Sequence, residues 1–437
     1  MKLTASEIAA ATGGRVVGPD ATVDGANQDS RTVTRGQLFV PLVAERDGHD
    51  FIDGAVANGA TVYLSHRAGE APAPGITAGV VDDTMDALVA LGRAARARLS
   101  GPVAAITGSV GKTSTKDLLS GALGAAFASH AAVGSFNNEI GVPLTLLDTP
   151  DDTDVSVIEM GARGIGHIAM LCEIAAPTVG IVTIVAGAHT GEFGSIDNIA
   201  VAKGELAEAL PTDGLAVLNA DNPWTAAMAD RTEAEVLTFG TDPGAAVRVV
   251  AVELDDELRG TFTLETPWGP VSARPTTRGA HMATNVAAAV GTALWLGASV
   301  AQVEEGIAAS TPSPWRMEVH RTPGGGLLIN DAYNANPTSM KGALDSLASL
   351  ARPRKVAVVG YMAELGADEG ADHLAIADYV RSVGAELVAV GTDLYGIEPV
   401  DDPLAVIGEI GGDTAVLVKG SRAAGLEAVA DALLGDG

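Results

Sequence analysis

The residues best suited to chemistry lie between Val103 and Ser120, VAAITGSVGKTSTKDLLS. The run Thr107-Gly108-Ser109-Val110-Gly111-Lys112-Thr113-Ser114 combines two glycines, several hydroxyls and one lysine. An apolar run of strand length precedes it and a helix-compatible run follows. That context suits a phosphate-binding loop, in which loop and helix N–H groups point at an anion and the helix dipole adds to them. Lys112 would carry charge to the terminal phosphates of a nucleotide, and the Thr113 hydroxyl would sit on Mg²⁺. The loop departs from the usual G-x-x-x-x-G-K-[ST] spacing, because Ile106 stands where the first glycine belongs. Gly108 takes that role in a compact G-x-x-G-K-T.

Other candidates follow strand-like runs. Glu159 ends Asp154-Val155-Ser156-Val157-Ile158-Glu159, where a carboxylate in an open sheet can coordinate a hard cation. His189 follows Ile181 to Val185, and Asn137-Asn138 sit in a polar loop able to reach substrate or phosphate. Lys203 lies among small apolar neighbours in AVAKGEL. A lone helix lysine is usually solvated; this setting favours burial and a depressed pKa, and a neutral amine can take up CO₂ as a carbamate. Asp29-Ser30-Arg31 and Asp47-Gly48-His49-Asp50 read, by themselves, as turn chemistry.

The elements that must position these groups read as α/β throughout. A length of 437 residues exceeds one typical core. Three units are expected: 1–98, a small α/β domain; 99–313, a largely parallel doubly wound sheet carrying the phosphate loop; and 314–437, a Rossmann-like α/β domain. In the first, Thr4 with Glu7 forms a capping signal, 37–42 and 61–64 read as strands, and 51–59 and 82–99 as helices. In the second, strands are expected at 155–158, 179–185, 215–219 and 236–239. In the third they fall at 327–329, 355–360, 386–390 and 415–418, without a G-x-G-x-x-G for a dinucleotide. The net charge of −28 repels nucleic acid and anionic membranes. Cys172 is the only cysteine, so neither an internal disulfide nor a thiolate zinc cluster is available. The first residues do not read as a signal peptide and no run reaches membrane-spanning length, so a cytoplasmic protein without membrane insertion is expected.

Taken together, TGSVGKTS, NNEIGVPLTLL, EMGARGIGHIAML, AHTGEFGS, AKGEL, NDAYNANPTSM, GYMAELG and VLVKGSR occur in an order that resembles the Mur ligase family along the whole chain. The string NDAYNANPTSM favours the member that adds a dipeptide over the one that adds a single amino acid. The resemblance implies ATP-dependent, ADP-forming joining of D-alanyl-D-alanine to UDP-N-acetylmuramoyl-tripeptide by way of an acyl phosphate, in peptidoglycan precursor synthesis. It implies that Lys112, Glu159, His189, Lys203 and Arg316 are catalytic. Thr113, Glu159, His189 and a carbamylated Lys203 would hold two Mg²⁺. His281 and Asn285 would lie against adenine, although Met282 stands where the family usually has Asn. Asp331 would hold the ribose, with Tyr333, Asn334 and Asn336 near the nucleotide or the peptide end. Ser30, Arg31 and His49 would face the uridine diphosphate, and Asn137 and Asn138 the substrate. A monomer with a hinge near residue 314 completes the expectation. The rival readings are an amino-acid-adding or folylpolyglutamate-type relative and, from another class, a P-loop regulatory NTPase or metabolite kinase.

Overall fold

A computed structural model describes residues 1–67, 73–187 and 190–435, except for the side chains of 190 and 192. The chain folds into a two-stranded pair, Lys2–Thr4 with Thr22–Asp24, and three larger sheets of five, nine and five strands. In the first unit a five-stranded sheet runs Arg15–Val17, Thr77–Val80, Val62–Ser65, Leu38–Phe39, Ala26–Asn27, parallel except at its first pair. Thr4 and Glu7 form a reciprocal capping box on helix Ala5–Thr12. The expected strand over 37–42 shrinks to Leu38–Phe39 because Pro41 has no N–H and Leu42 instead accepts from Gly48 N. Helix Ile52–Ala57 is shorter than expected, since Gly48–Phe51 forms a 3₁₀ turn before it. Helix Thr84–Arg98 is started by Asp83, whose carboxylate accepts from the N–H groups of Met85 and Asp86.

The central sheet has nine strands, in the order Val271–Ala273, Gly260–Glu265, Val247–Leu254, Glu235–Gly240, Leu215–Asn219, Val179–Val182, Val103–Thr107, Val155–Glu159, Ser129–Ala131. The last seven are parallel, and the first three form an antiparallel extension. Val103–Thr107 is buried along its whole length, as a central parallel strand with both faces covered must be. The order of connection reverses around this strand, so its carboxyl end opens onto the crevice where ligands of such sheets bind. The strand expected over 179–185 stops at Val182. Beyond it the chain turns to serve the phosphate loop: Ser109 N donates to Ile184 O, and the Thr183 hydroxyl to Val110 O at 2.6 Å.

The third sheet runs Glu318–Arg321, Leu327–Asn330, Thr414–Lys419, Arg354–Val359, Glu386–Ala389, parallel apart from its first pair. Helix Pro337–Ser349 starts with Asn336 as its cap and Pro337 in its first turn, where a missing N–H costs nothing. The third unit's apolar residues join the central sheet's core, so the two units pack through one continuous hydrophobic cluster. Among the described residues no helix is long and apolar enough to cross a membrane.

Candidate active site

A cleft of about 580 Å³ opens between the central and third sheets. Its floor is the loop that follows Val103–Thr107. Gly111 takes φ +87° and precedes helix Lys112–Gly124, whose first turn has no side-chain cap. Its free N–H groups therefore face the cleft, available to an anion. A Cβ on Gly111 would stand 2.5 Å from Asn285 Oδ1, and one on Gly108 1.9 Å from Thr183 Oγ1. Only glycine fits either place. Lys112 is folded back, its ammonium donating to Gly108 O at 2.7 Å. Burial holds its pKa below the ordinary lysine value, Glu159 opposes that shift and Arg316 adds to it.

The end of the adjacent strand supplies oxygen donors. The Thr113 hydroxyl donates to Glu159 Oε2 at 2.7 Å, and Asn137 Nδ2 donates to Glu159 Oε1 at 2.8 Å. Glu159 and Thr113 are both buried. Two hard oxygen ligands at the rim of an anion site match what Mg²⁺ requires. Lys203, on helix Ile196–Glu208, is buried and lines the same cleft. Burial, reinforced by the charge of Lys112, pushes its pKa well below the ordinary lysine range. Its amine is therefore biased toward the neutral form, as carbamate formation requires.

Across the cleft stands Arg316. Its Nη2 donates to Thr113 Oγ1 at 3.0 Å, and its guanidinium lies 4.1 Å from the centre of the Tyr333 ring. Its Nε is buried with no hydrogen-bond partner among the described residues. A buried, unsatisfied guanidinium N–H beside a phosphate loop is a place for an anionic oxygen. Asp331 accepts from Met317 N at 3.1 Å and from the Lys419 ammonium at 2.6 Å. Lys419 also donates to Asn334 O. Asn336 spends its side-chain oxygen on Ser339 N, so its presence in the lining is first a matter of capping. His281 is held by Ser346 at 3.2 Å, and burial lowers its pKa. Met282 contacts Asn285 through sulfur, Asn285 Nδ2 lying 3.5 Å from Sδ.

The structure thus gathers Ser109 to Ser114, Asn137, Asn138, Glu159, Lys203, His281, Asn285, Arg316, Asp331, Tyr333, Asn334 and Asn336 around one cleft. Thr107 is buried at the strand end beneath it. His189 lies outside the described residues. Ser30, Arg31 and His49 do not line this cleft. Arg31 pairs with Asp29 at 2.6 Å and points into solvent, and Ser30 offers its carbonyl to Asn58. His49 is buried: its Nδ1 lies 2.6 Å from Asp47 and its Nε2 accepts from His66 N at 3.3 Å, so both ring nitrogens are engaged. Sequence reasoning missed Ser135, which receives the Tyr333 hydroxyl at 2.6 Å, and the cleft-lining Thr183, Arg163, His167 and Glu364. Lys419 stood in a quoted motif, VLVKGSR, without a role. Ser135 carried no signal, because a serine in a glycine-rich loop looks like any turn residue.

Two family models match the chain: the Mur ligase middle domain over residues 106–293 and the Mur ligase, glutamate ligase domain over 315–436. A UDP-N-acetylmuramoyl-tripeptide–D-alanyl-D-alanine ligase of Mycobacterium bovis is 40% identical, covering 100% of this chain and 98% of its own. The MurF crystal structure from Acinetobacter baumannii superposes with a TM-score of 0.88 at 29% identity, covering 100% of this chain and 99% of the other. MurF from Thermotoga maritima, crystallised in complex with ADP, gives 0.80 at 26%, covering 95% and 98%. On these matches, two family models and a full-length relative at 40% identity, the chain belongs to the Mur ligase family.

Proposed function

We propose that this chain is the ATP-dependent, ADP-forming ligase that joins D-alanyl-D-alanine to UDP-N-acetylmuramoyl-tripeptide in peptidoglycan precursor synthesis. The observation that carries the ligase reading is Arg316, from beyond residue 313, seated on Thr113 of the phosphate loop. The full-length likeness to a ligase of that name supports the substrates.

A carboxylate does not condense with an amine in water. The γ-phosphoryl of ATP therefore passes first to the tripeptide's terminal carboxylate, giving an acyl phosphate and ADP. The amine of the dipeptide then attacks the acyl carbon, and phosphate leaves as the amide forms. Uncapped N–H groups of the loop, Lys112 and Arg316 face the place where phosphoryl charge gathers, fixed before the reaction begins. On the family resemblance, Thr113 and Glu159 would hold one Mg²⁺, and a carbamylated Lys203 with His189 a second. When bound, such ions neutralise charge on the phosphoryl oxygens. Asn137 orients Glu159, and Asp331, held by Lys419 at the cleft, would hold the ribose. Enclosing these groups between two sheets excludes water that would hydrolyse the acyl phosphate.

The domain limits follow the same reading: residues 1–98 grip the UDP handle through Ser30, Arg31 and the His49 turn, 99–313 hold ATP, and 314–437 bring the dipeptide. The same reading takes the chain to act as a monomer, and the nucleotide-linked substrates support a cytoplasmic site of action. The deciding experiment is ADP release by the purified protein. It is expected only with both the UDP-linked tripeptide and D-alanyl-D-alanine present. ADP release from ATP alone, or equal turnover with single amino acids, would overturn the assignment.

A further inference from the structure

Lys116 and Asp117 are neighbours on the helix that begins with Lys112 and Thr113, and the reaction just described uses neither. Lys116 is 3% exposed. Its ammonium donates to Ala132 O at 2.9 Å and to Gly134 O at 2.6 Å, and lies 3.3 Å from Asp117 Oδ1. Asp117 accepts from Ser313 twice, from the N–H at 2.7 Å and from the hydroxyl at 3.1 Å. A buried charge is costly unless its hydrogen bonds are well used, and here they tie down two separate segments.

Both segments lead to the same guanidinium. Gly134 immediately precedes Ser135, which receives the Tyr333 hydroxyl and lies 3.5 Å from Arg316 Nη2. Ser313 stands three residues before Arg316, and the residues flanking that arginine, Trp315 and Met317, have φ of +57° and +53°. Left-handed backbone at two bulky side chains persists only where the surroundings over-determine it. Ser313, held by Asp117, is the fixed point on the near side.

We propose that Lys116 and Asp117 are positioning residues that hold Arg316 over Thr113, one through the 132–135 loop and the other through the Ser313 junction. The phosphate-loop helix thereby sets the third unit's arginine as well as its own lysine. The proposal rests on the ligase reading, and wild-type turnover in the same assay tests that reading separately.

The experiment is a double-mutant cycle on the full chain, combining Lys116→Met or Asp117→Asn with Arg316→Ala. Each single variant should lower kcat about 10- to 100-fold, as a misplacement of order 1 Å does, with KM for ATP little changed. In the Arg316→Ala background the same substitutions should change kcat by no more than about twofold, the spread expected where nothing remains to couple. Lys116→Arg should recover part of the loss. Wild-type kcat in both single variants would overturn the proposal. So would an equal fold-loss in both backgrounds, which would mean that the pair acts elsewhere than through Arg316. If Lys116→Met does not fold, the cycle of Asp117→Asn with Arg316→Ala decides alone: the asparagine keeps the side chain's volume but has one acceptor oxygen in place of the two that Ser313 uses, so the junction loosens without a hole in the core.

Discussion

Replacing Gly111 with alanine should damage the protein by an amount that the structure allows to be worked out. Two costs arise. The residue has φ +87°, and holding an L-residue in the left-handed region costs about 1–2 kcal/mol. The new Cβ would lie 2.5 Å from Asn285 Oδ1 and 3.2 Å from its Cγ, and relieving such overpacking costs about 1–3 kcal/mol. The sum is about 2–5 kcal/mol. Where it appears depends on the loop. A loop that keeps its shape with and without nucleotide charges the strain to folding, lowering the melting temperature by about 2–4 °C per kcal/mol for a domain of this size. A loop that relaxes when empty charges it instead to nucleotide binding, where about 1.4 kcal/mol is tenfold. Thermal melting and calorimetric titration of ADP therefore have to be read together. Gly36→Ala is the control: it has φ +94° with nothing within 4 Å, so it carries the backbone cost without the clash and lies away from the cleft. Gly111→Ala with wild-type melting and wild-type ADP affinity would refute the reasoning. So would behaviour indistinguishable from Gly36→Ala in both readouts.

Other outcomes follow from the buried titratable groups. Lys203→Ala should lower turnover by about 100-fold or more, with partial recovery in formate or acetate; ¹³C-bicarbonate should give a carbamate resonance in the wild type that this variant lacks. Because burial and Lys112 depress the Lys203 pKa, the folded state binds fewer protons there than the unfolded chain. Its contribution to stability should therefore rise with pH up to the unperturbed value of 10.5, measured by denaturant melts across that range. Burial pushes the Cys172 thiol up to about 12, so iodoacetamide at pH 8 should leave it unmodified until the chain is unfolded. Asp29, lowered to about 2 by hydrogen bonds from Arg31, contributes stability above its ordinary value of 3.8 that is lost as pH falls toward 2. The pair is exposed, so Asp29→Asn should flatten that acid limb only slightly, and less in high salt.

Much of the site was legible in the chain alone, for identifiable reasons. The phosphate loop announces itself because its requirements are local: a strand, two glycines free of Cβ, a lysine and a hydroxyl within eight residues. Strand positions such as Val103–Thr107 and Leu215–Asn219 were readable because a strand covered on both faces must be continuously apolar. Strand ends were less so: the run over 179–185 is apolar but for Gly180 and Thr183, yet its last three residues leave the sheet, where Thr183 and Ile184 bond the phosphate loop. The antiparallel strands Gly260–Glu265 and Val271–Ala273 were not anticipated, because they gain their partners only from the sheet edge they extend.

What the amino-acid order by itself determined is the chemistry available: which groups can bind phosphate, which can hold a hard cation, and which lysine sits among residues too apolar to leave it charged. Only the folded chain decided which of them meet. Arg316 is more than two hundred residues from Thr113 in sequence and 3.0 Å from it in space. His49 and Arg31 look alike as polar turn residues, yet one is sealed against Asp47 and His66 while the other lies in solvent. Contacts between sheets depend on packing summed over a whole core, and no short stretch of sequence carries that sum.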